Sequence, residues 1–212
     1  MTFKELAEYF EKLEGTSSRL ALIDILAELF KKVTDKDIAK VSYLIQGRVA
    51  PFYEPIEIGM AEKSVAGALS RAYGEDREEV LKEYGKVGDL GKVAQRLAGK
   101  ARDGGLTVDH VFRVLREIAD TNGEGTVEKK TVALSDLLKN VDPISAKHLA
   151  RIPLGTSRLG IGDPTVLDAF ALAKLGDRKR RVDLEGACRV RVNLKLRVYN
   201  LDKAGVASKR LV

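Results

Sequence analysis

Two stretches of this chain carry one pattern twice, and a chain built that way must bury both copies in equivalent surroundings. Phe3 to Gly47 aligns with Val111 to Gly155 at a shift of about 108 residues. Leu26-Ala-Glu-Leu-Phe-Lys-Lys-Val33 then falls on Leu134-Ser-Asp-Leu-Leu-Lys-Asn-Val141, Gly15 on Gly123 and Gly47 on Gly155. After a shorter loop in the second copy, Ile58-Gly-Met-Ala-Glu-Lys-Ser-Val65 meets Leu159-Gly-Ile-Gly-Asp-Pro-Thr-Val166, and Ala68 and Ala72 meet Ala169 and Ala173. Turn glycines as well as apolar positions are shared, so the match exceeds that of two generic amphipathic helices.

The repeated pattern has a helical period. Leu6, Tyr9, Phe10 and Leu13 recur at helical spacing, and Leu20, Ile23, Leu26, Leu29 and Phe30 do so after a break at Gly15-Thr-Ser-Ser18, which offers an N-cap. Thr34-Asp-Lys-Asp37 opens a third helix that Gly47 ends. Ala50 to Ile58 holds Pro51 and Pro55 and reads as an extended loop. Further helices are expected over residues 60–73, 75–84 and from Gly91 through Leu97, and Lys100 to Gly105 is the linker. The second copy repeats the order over 108–119, 126–141, 143–154 and 164–175. The alternation of apolar and basic residues from Arg189 to Val198 lacks partner strands. The expected fold is all-α, a pseudo-twofold duplicated helical domain of about twelve helices, with halves at 1–99 and 106–212 sharing one core.

Composition narrows the function classes. With 212 residues, 44% hydrophobic and 32% charged, and no long uncharged apolar run, the chain reads as a globular protein without a membrane span. The opening Met1-Thr-Phe-Lys-Glu-Leu has no cleavable apolar core, so a cytoplasmic, intracellular location is expected. Lys, Arg and Glu are abundant while Asn and Gln are sparse, which leans toward a heat-tolerant host. The net charge of +6 suits a polyanionic partner without proving one. Cys188 has no second cysteine to pair with and reads as a small apolar helix residue. With only His110 and His148 beside it, no zinc ligand set is available. Both histidines read as packing or surface residues.

Several segments then point to a family. Gly155-Thr-Ser-Arg-Leu-Gly-Ile-Gly-Asp-Pro-Thr-Val-Leu-Asp-Ala169, with Asn122-Gly-Glu-Gly-Thr126 upstream, resembles the N-terminal DNA-binding domain of ATP-dependent DNA ligases of the archaeal and eukaryotic replicative type. Tyr43-Leu-Ile-Gln-Gly-Arg48, Ile58-Gly-Met-Ala-Glu62 and Gly88-Asp-Leu-Gly-Lys-Val-Ala94 are similar to the family's first-half segments. The resemblance runs over roughly residues 3–176. It implies an all-helical pseudo-twofold domain that grips nicked double-stranded DNA across its minor groove for nick sealing in replication and repair, while other domains perform the chemistry. Carried over, the implied DNA-binding positions are Gly155, Thr156, Ser157, Arg158, Leu159, Gly160, Ile161 and Gly162 in the second half. In the first half they are Gly47, Arg48, Gly59, Met60, Ala61 and Lys63. The physical logic is that glycines let a backbone approach a phosphate, and free amides at a helix start hold the anion. Arg158 is expected to be a loop arginine whose reversal to glutamate repels phosphate at little cost to the fold.

The resemblance also bears on catalysis. Ligases of this type form a covalent AMP adduct on the lysine of a Lys-x-Asp-Gly motif. Lys86-Val-Gly-Asp89 reverses the last pair and Lys100-Ala-Arg-Asp-Gly104 has one residue too many. No catalytic or metal-binding residue is therefore assigned, and ATP and magnesium are expected to act in the parent ligase instead of on this chain. Catalytic ligase domains and a sliding clamp are the implied protein partners, and no membrane is.

Plainer readings stand beside these. Gly160-Ile-Gly162 follows a helix and lacks a third glycine, which argues against a dinucleotide loop. The same glycines would serve as ordinary connecting turns, and Arg178-Lys-Arg-Arg181 as a solvated face or a phosphate strip. Glu124 and Asp163 are expected to flank helix starts. Tyr199 to Ala207 echoes Tyr84 to Ala94 but lacks the Gly-Asp-Leu-Gly core. A helical protein-interaction scaffold with the same fold is the alternative function.

Overall fold

The computed structural model describes residues 1–51, 54–99 and 103–188. Phe52, Tyr53, residues 100–102 of the expected linker, the basic alternation after Arg189, the echo at 199–207 and the side chain of Cys188 lie outside the described residues.

Among the described residues the chain is all-helical. The first half contains α1 (Phe3–Glu14), α2 (Arg19–Lys32), α3 (Ile38–Ile45), α4 (Glu62–Tyr73), α5 (Arg77–Val87) and α6 (Leu90–Ala98). The second contains α7 (Val108–Asp120), α8 (Thr126–Leu138), α9 (Pro143–Arg151), a 3-10 turn at Ile152–Leu154, α10 (Asp163–Leu175), a second 3-10 turn at Arg178–Arg180, and α11 (Arg181–Cys188). The order α1 to α4 thus recurs as α7 to α10, as the repeat requires. The boundaries differ from expectation at one instructive place. The helix expected over 143–154 stops at Arg151 and tightens into the 3-10 turn because Pro153 cannot donate the next helical hydrogen bond.

Local chemistry explains most helix starts. Thr2 caps α1 in a reciprocal box, its oxygen accepting from Glu5 N at 3.2 Å while its own N–H donates to the Glu5 carboxylate at 2.7 Å. Ser18, Asp76, Asp89, Thr107 and Asp142 cap α2, α5, α6, α7 and α9 with their side chains. No helix among the described residues is long and apolar enough to cross a membrane.

The two copies exchange their fourth helices. α4 packs mainly on α8 of the other copy, and α10 mainly on α2. Phe30 of α2 and Phe170 of α10 stack at 4.0 Å between ring centroids, 6° from parallel, an arrangement that adds about 0.5–1.5 kcal/mol to burial. Neither copy encloses its own hydrophobic face, and one continuous core runs from Phe3 through Phe30 and Val65 to Leu115, Leu149 and Phe170. The copies also meet at their first helices, whose caps lie 105 residues apart and so depart from the 108-residue shift of the later elements. The caps Thr2 and Thr107 form an isolated antiparallel bridge, with Phe3 N donating to Leu106 O at 2.7 Å and Val108 N to Met1 O at 3.2 Å.

α6 packs tightly on α9. Gly91 permits it, because a Cβ there would lie 2.6 Å from both the Lys147 carbonyl oxygen and Arg151 Nε. The carbonyl is fixed in α9, so the two helices would have to separate. Gly91→Ala is expected to lower unfolding stability by about 1–3 kcal/mol despite alanine's better helix propensity. Urea midpoints of the two proteins, compared at equal m-value, measure this.

Candidate functional site

The two expected clusters of contact residues come together. Gly47 and Gly155, equivalent in the repeat, both adopt left-handed backbone, with φ of 70° and 66°. They sit side by side: a Cβ on Gly47 would lie 3.8 Å from the Gly155 carbonyl carbon and 3.5 Å from Ser157 Cβ. The chain entering α4 donates from Met60 N to Pro153 O at 3.3 Å, beside Gly155. At the start of α10, Asp163 accepts from Gln46 Nε2 at 3.1 Å, beside Gly47. Each copy's glycine turn therefore lies against the other copy's α4-type helix start. Gly47, Arg48, Gly59, Met60 and Gly155 share the lining of one cleft of about 390 Å³.

Exposure divides the expected residues. Arg48, Gly59, Ala61, Lys63, Gly155, Thr156, Arg158, Gly160 and Gly162 are exposed, while Ser157 and Ile161 are half-buried. The side chains of Leu159 and Met60 turn inward: at 4% and 6% exposure both belong to the hydrophobic core and anchor their loops. Gly47 is also buried, under Ser157 and Gly155. α4 and α10 start at Ala61 and Gly162 without a side-chain cap, as do α3 and α8. Ser64 N and Val65 N donate back to Ala61 O, Thr165 N donates to Gly162 O and Pro164 has no N–H, so only the leading amides of α4 and α10 are left to an outside acceptor or solvent.

Cations of the second half pin the loop of the first. Lys130 Nζ donates to Ile58 O at 3.0 Å and Arg116 Nη1 to Val49 O at 3.4 Å. Sequence reasoning missed both, because a lysine or arginine facing a carbonyl far along the chain leaves no local signal.

Arg158 is tied down although its side chain is half exposed. It is not a free loop arginine: Nη2 donates to Gly88 O at 2.8 Å and Nη1 lies 3.7 Å from Asp89 Oδ2. Asp89 is 3% exposed and also pairs with Arg151, Nη2 to Oδ2 at 2.5 Å and Nε to Oδ1 at 3.1 Å. Arg151, 1% exposed, forks on its far side to Glu14 at 2.8 and 3.1 Å. Lys147 Nζ bridges Glu11 at 2.6 Å and Glu14 at 2.9 Å. A glutamate at 158 would face the buried Asp89 carboxylate, so the contacts of Arg158 weigh against the expected small cost to the fold.

His148 completes this cluster as a neutral group. It is 2% exposed, Nε2 lies 2.7 Å from Glu11 Oε1, and the ring meets Phe10 edge-on at 5.2 Å. Burial, with Lys147 and Arg151 opposing the pull of Glu11, lowers its pKa to about 4. Glu11, Glu14 and His148 bring donor atoms within 4.8 Å of one another. Lys147 and Arg151 already neutralise those carboxylates, so a divalent cation does not fit there.

A duplicated helical frame that closes two glycine turns on its own axis defines a class of all-α domain. The chain belongs to the DNA ligase N-terminal family: the family model described as DNA ligase N terminus matches residues 2–171. It is 44% identical over 195 residues to a probable DNA ligase of Dictyoglomus turgidum, covering 92% of this chain and 33% of that protein. It is 42% identical over 207 residues to a DNA ligase of Saccharolobus solfataricus, with 92% and 34% covered. Against DNA ligase 1 of Methanosarcina mazei the identity is 40% over 185 residues, with 87% and 32% covered. The chain spans about a third of the length of these relatives.

The cluster beneath the 155–162 loop sets an acid limit. His148 is held neutral in the folded chain, so its contribution is complete above its ordinary pKa of 6.5 and is lost as pH falls from 6.5 toward 4, where only the unfolded chain takes up the proton. Glu14, lowered from 4.5 to about 2 by Arg151 and Lys147 against the opposing effect of burial, adds a further loss from 4.5 downward. Thermal melts should show the midpoint falling between pH 6.5 and 4.5, with the histidine's share on the order of 2–3 kcal/mol. In His148→Gln that limb should flatten, and the decline below pH 4.5 should persist.

Proposed function

We propose that this chain is the part of a DNA ligase that holds the DNA, gripping duplex across its minor groove beside a nick while nucleotidyl transfer occurs on other domains. The observation that carries this reading is the meeting of Gly47 and Gly155 on the axis relating the copies, each turn set against an uncapped helix start. A duplex has two antiparallel backbones related by a twofold, and two matched glycine turns, each beside a helix start, suit one strand each. Exposed Arg48 adds positive charge beside the Gly47 turn, and exposed Lys63 does so in the first turn of α4, which starts beside the Gly155 turn. Binding of this kind follows backbone shape and not base sequence.

The names of the relatives support a DNA substrate. For ATP and magnesium the fit is poor: the chain has no Lys-x-Asp-Gly motif, and the clustered carboxylates are occupied by arginine and lysine. Catalytic domains, joined in the same protein or supplied separately, complete the activity in this reading. The setting is intracellular, where the nicked duplex is.

Gel shifts with nicked, intact and single-stranded DNA of unrelated sequences test the proposal. Both duplexes should bind regardless of sequence, nicked more tightly, and log K should fall linearly with log salt over roughly 50–200 mM. Arg48→Gln and Lys63→Gln should each weaken binding and make that slope shallower by about 0.9 if one phosphate contact is lost. Affinity that stays flat across this salt range, or equal affinity for single strands, overturns the reading.

A further inference from the structure

Between Gly155 and Gly160 the backbone enters left-handed space three times, at Gly155 (φ 66°), Arg158 (φ 56°) and Gly160 (φ 64°). Two of these are glycines, for which the conformation is free of penalty. Arg158 is the one non-glycine among the described residues with positive φ. Its Cβ makes that conformation unfavourable, so something outside the backbone must hold it.

The holder is the corner between α5 and α6. The Arg158 guanidinium donates to the carbonyl of Gly88, which ends α5, and faces the carboxylate of Asp89, which caps α6. The charges around it balance only when Arg158 is counted. Three carboxylates, Glu11, Glu14 and Asp89, face three cations, Lys147, Arg151 and Arg158. His148, inside the same cluster, is neutral at physiological pH. Removing Arg158 leaves Asp89 with Arg151 alone, and Arg151 is shared with Glu14. An arginine that both completes the charge set around buried Asp89 and Arg151 and fixes an unfavourable backbone turn is placed to shape the loop, and its half-exposed charge already has a carboxylate facing it.

We propose that Arg158 is a positioning residue: it ties the 155–162 loop to the Gly88–Asp89 corner, so that the loop's backbone presents a fixed surface to duplex DNA, and it does not itself pair with a phosphate. The second half of this statement rests on the DNA-binding reading above. The tie can be read without DNA, which keeps the two separable.

The test uses the full chain and two variants, Arg158→Gly and Arg158→Lys, with circular dichroism setting a temperature at which all three are folded. Glycine keeps the left-handed turn accessible while deleting the tie, and lysine can still donate to Gly88 O. Amide hydrogen exchange over residues 155–162, without DNA, should quicken in Arg158→Gly and stay near the parent in Arg158→Lys. Duplex affinity of Arg158→Gly should fall about tenfold through lost preorganisation, with the salt slope unchanged from the parent. Unchanged exchange in Arg158→Gly overturns the tie. A slope shallower by about 0.9 marks a lost phosphate contact and overturns the positioning role while leaving DNA binding intact. If the parent itself binds no duplex, the DNA-binding reading fails and takes the positioning role with it, and exchange alone then reports whether the tie exists.

Discussion

A guanidinium sealed from water sits at the junction of the two copies, and much of the surrounding geometry exists to satisfy it. Arg151 is 1% exposed and needs its donors met by carboxylates, because an unpaired buried charge costs several kcal/mol. Glu14 arrives from the end of α1 and Asp89 from the start of α6, so one side chain of α9 binds two first-half elements. That pairing requires α6 to lie almost against α9, and Gly91 supplies the space. Asp89 does double duty, capping α6 through Gly91 N at 2.9 Å while it faces Arg151 and Arg158.

From that junction the structure reaches the surface in two short steps. Asp89 and Gly88 hold Arg158, and Arg158 lies in the middle of the loop that leads from Gly155 to α10. Leu159 fastens the same loop from within by entering the core. The opposite loop is held by different means, with Arg116 and Lys130 reaching across to Val49 O and Ile58 O. The two copies share a backbone plan but not the side chains that secure it, so the surface near the axis is symmetric in its turns and asymmetric in its anchoring.

The exchange of fourth helices explains why the copies act as one unit. α4 covers α8 and α10 covers α2, so the face that each copy leaves open is closed by the other. The Phe30 and Phe170 stack belongs to this closure. A surface assembled at such a crossing inherits the rigidity of both halves, which suits contact through backbone groups whose positions must be fixed in advance.

What was legible in the sequence was local or periodic. The spacing of Leu6, Phe10 and Leu13, the cap at Ser18, and the breaks at Gly15 and Gly47 each depend on a few neighbouring residues, and helices form by those same short-range rules. The doubling of turn glycines gave the order of the second half, and the family's motifs marked the loops that converge. The tertiary structure alone decided which of those loop residues face outward. Met60 and Leu159 turn into the core and Arg158 folds back onto Gly88, since burial and charge pairing are settled by elements about 70 residues or more away in the chain. The partners of Arg151, Lys130 and Gly91 were likewise fixed only when helices distant in sequence packed together. A side chain's chemistry is written at its own position, but its partner is chosen by packing.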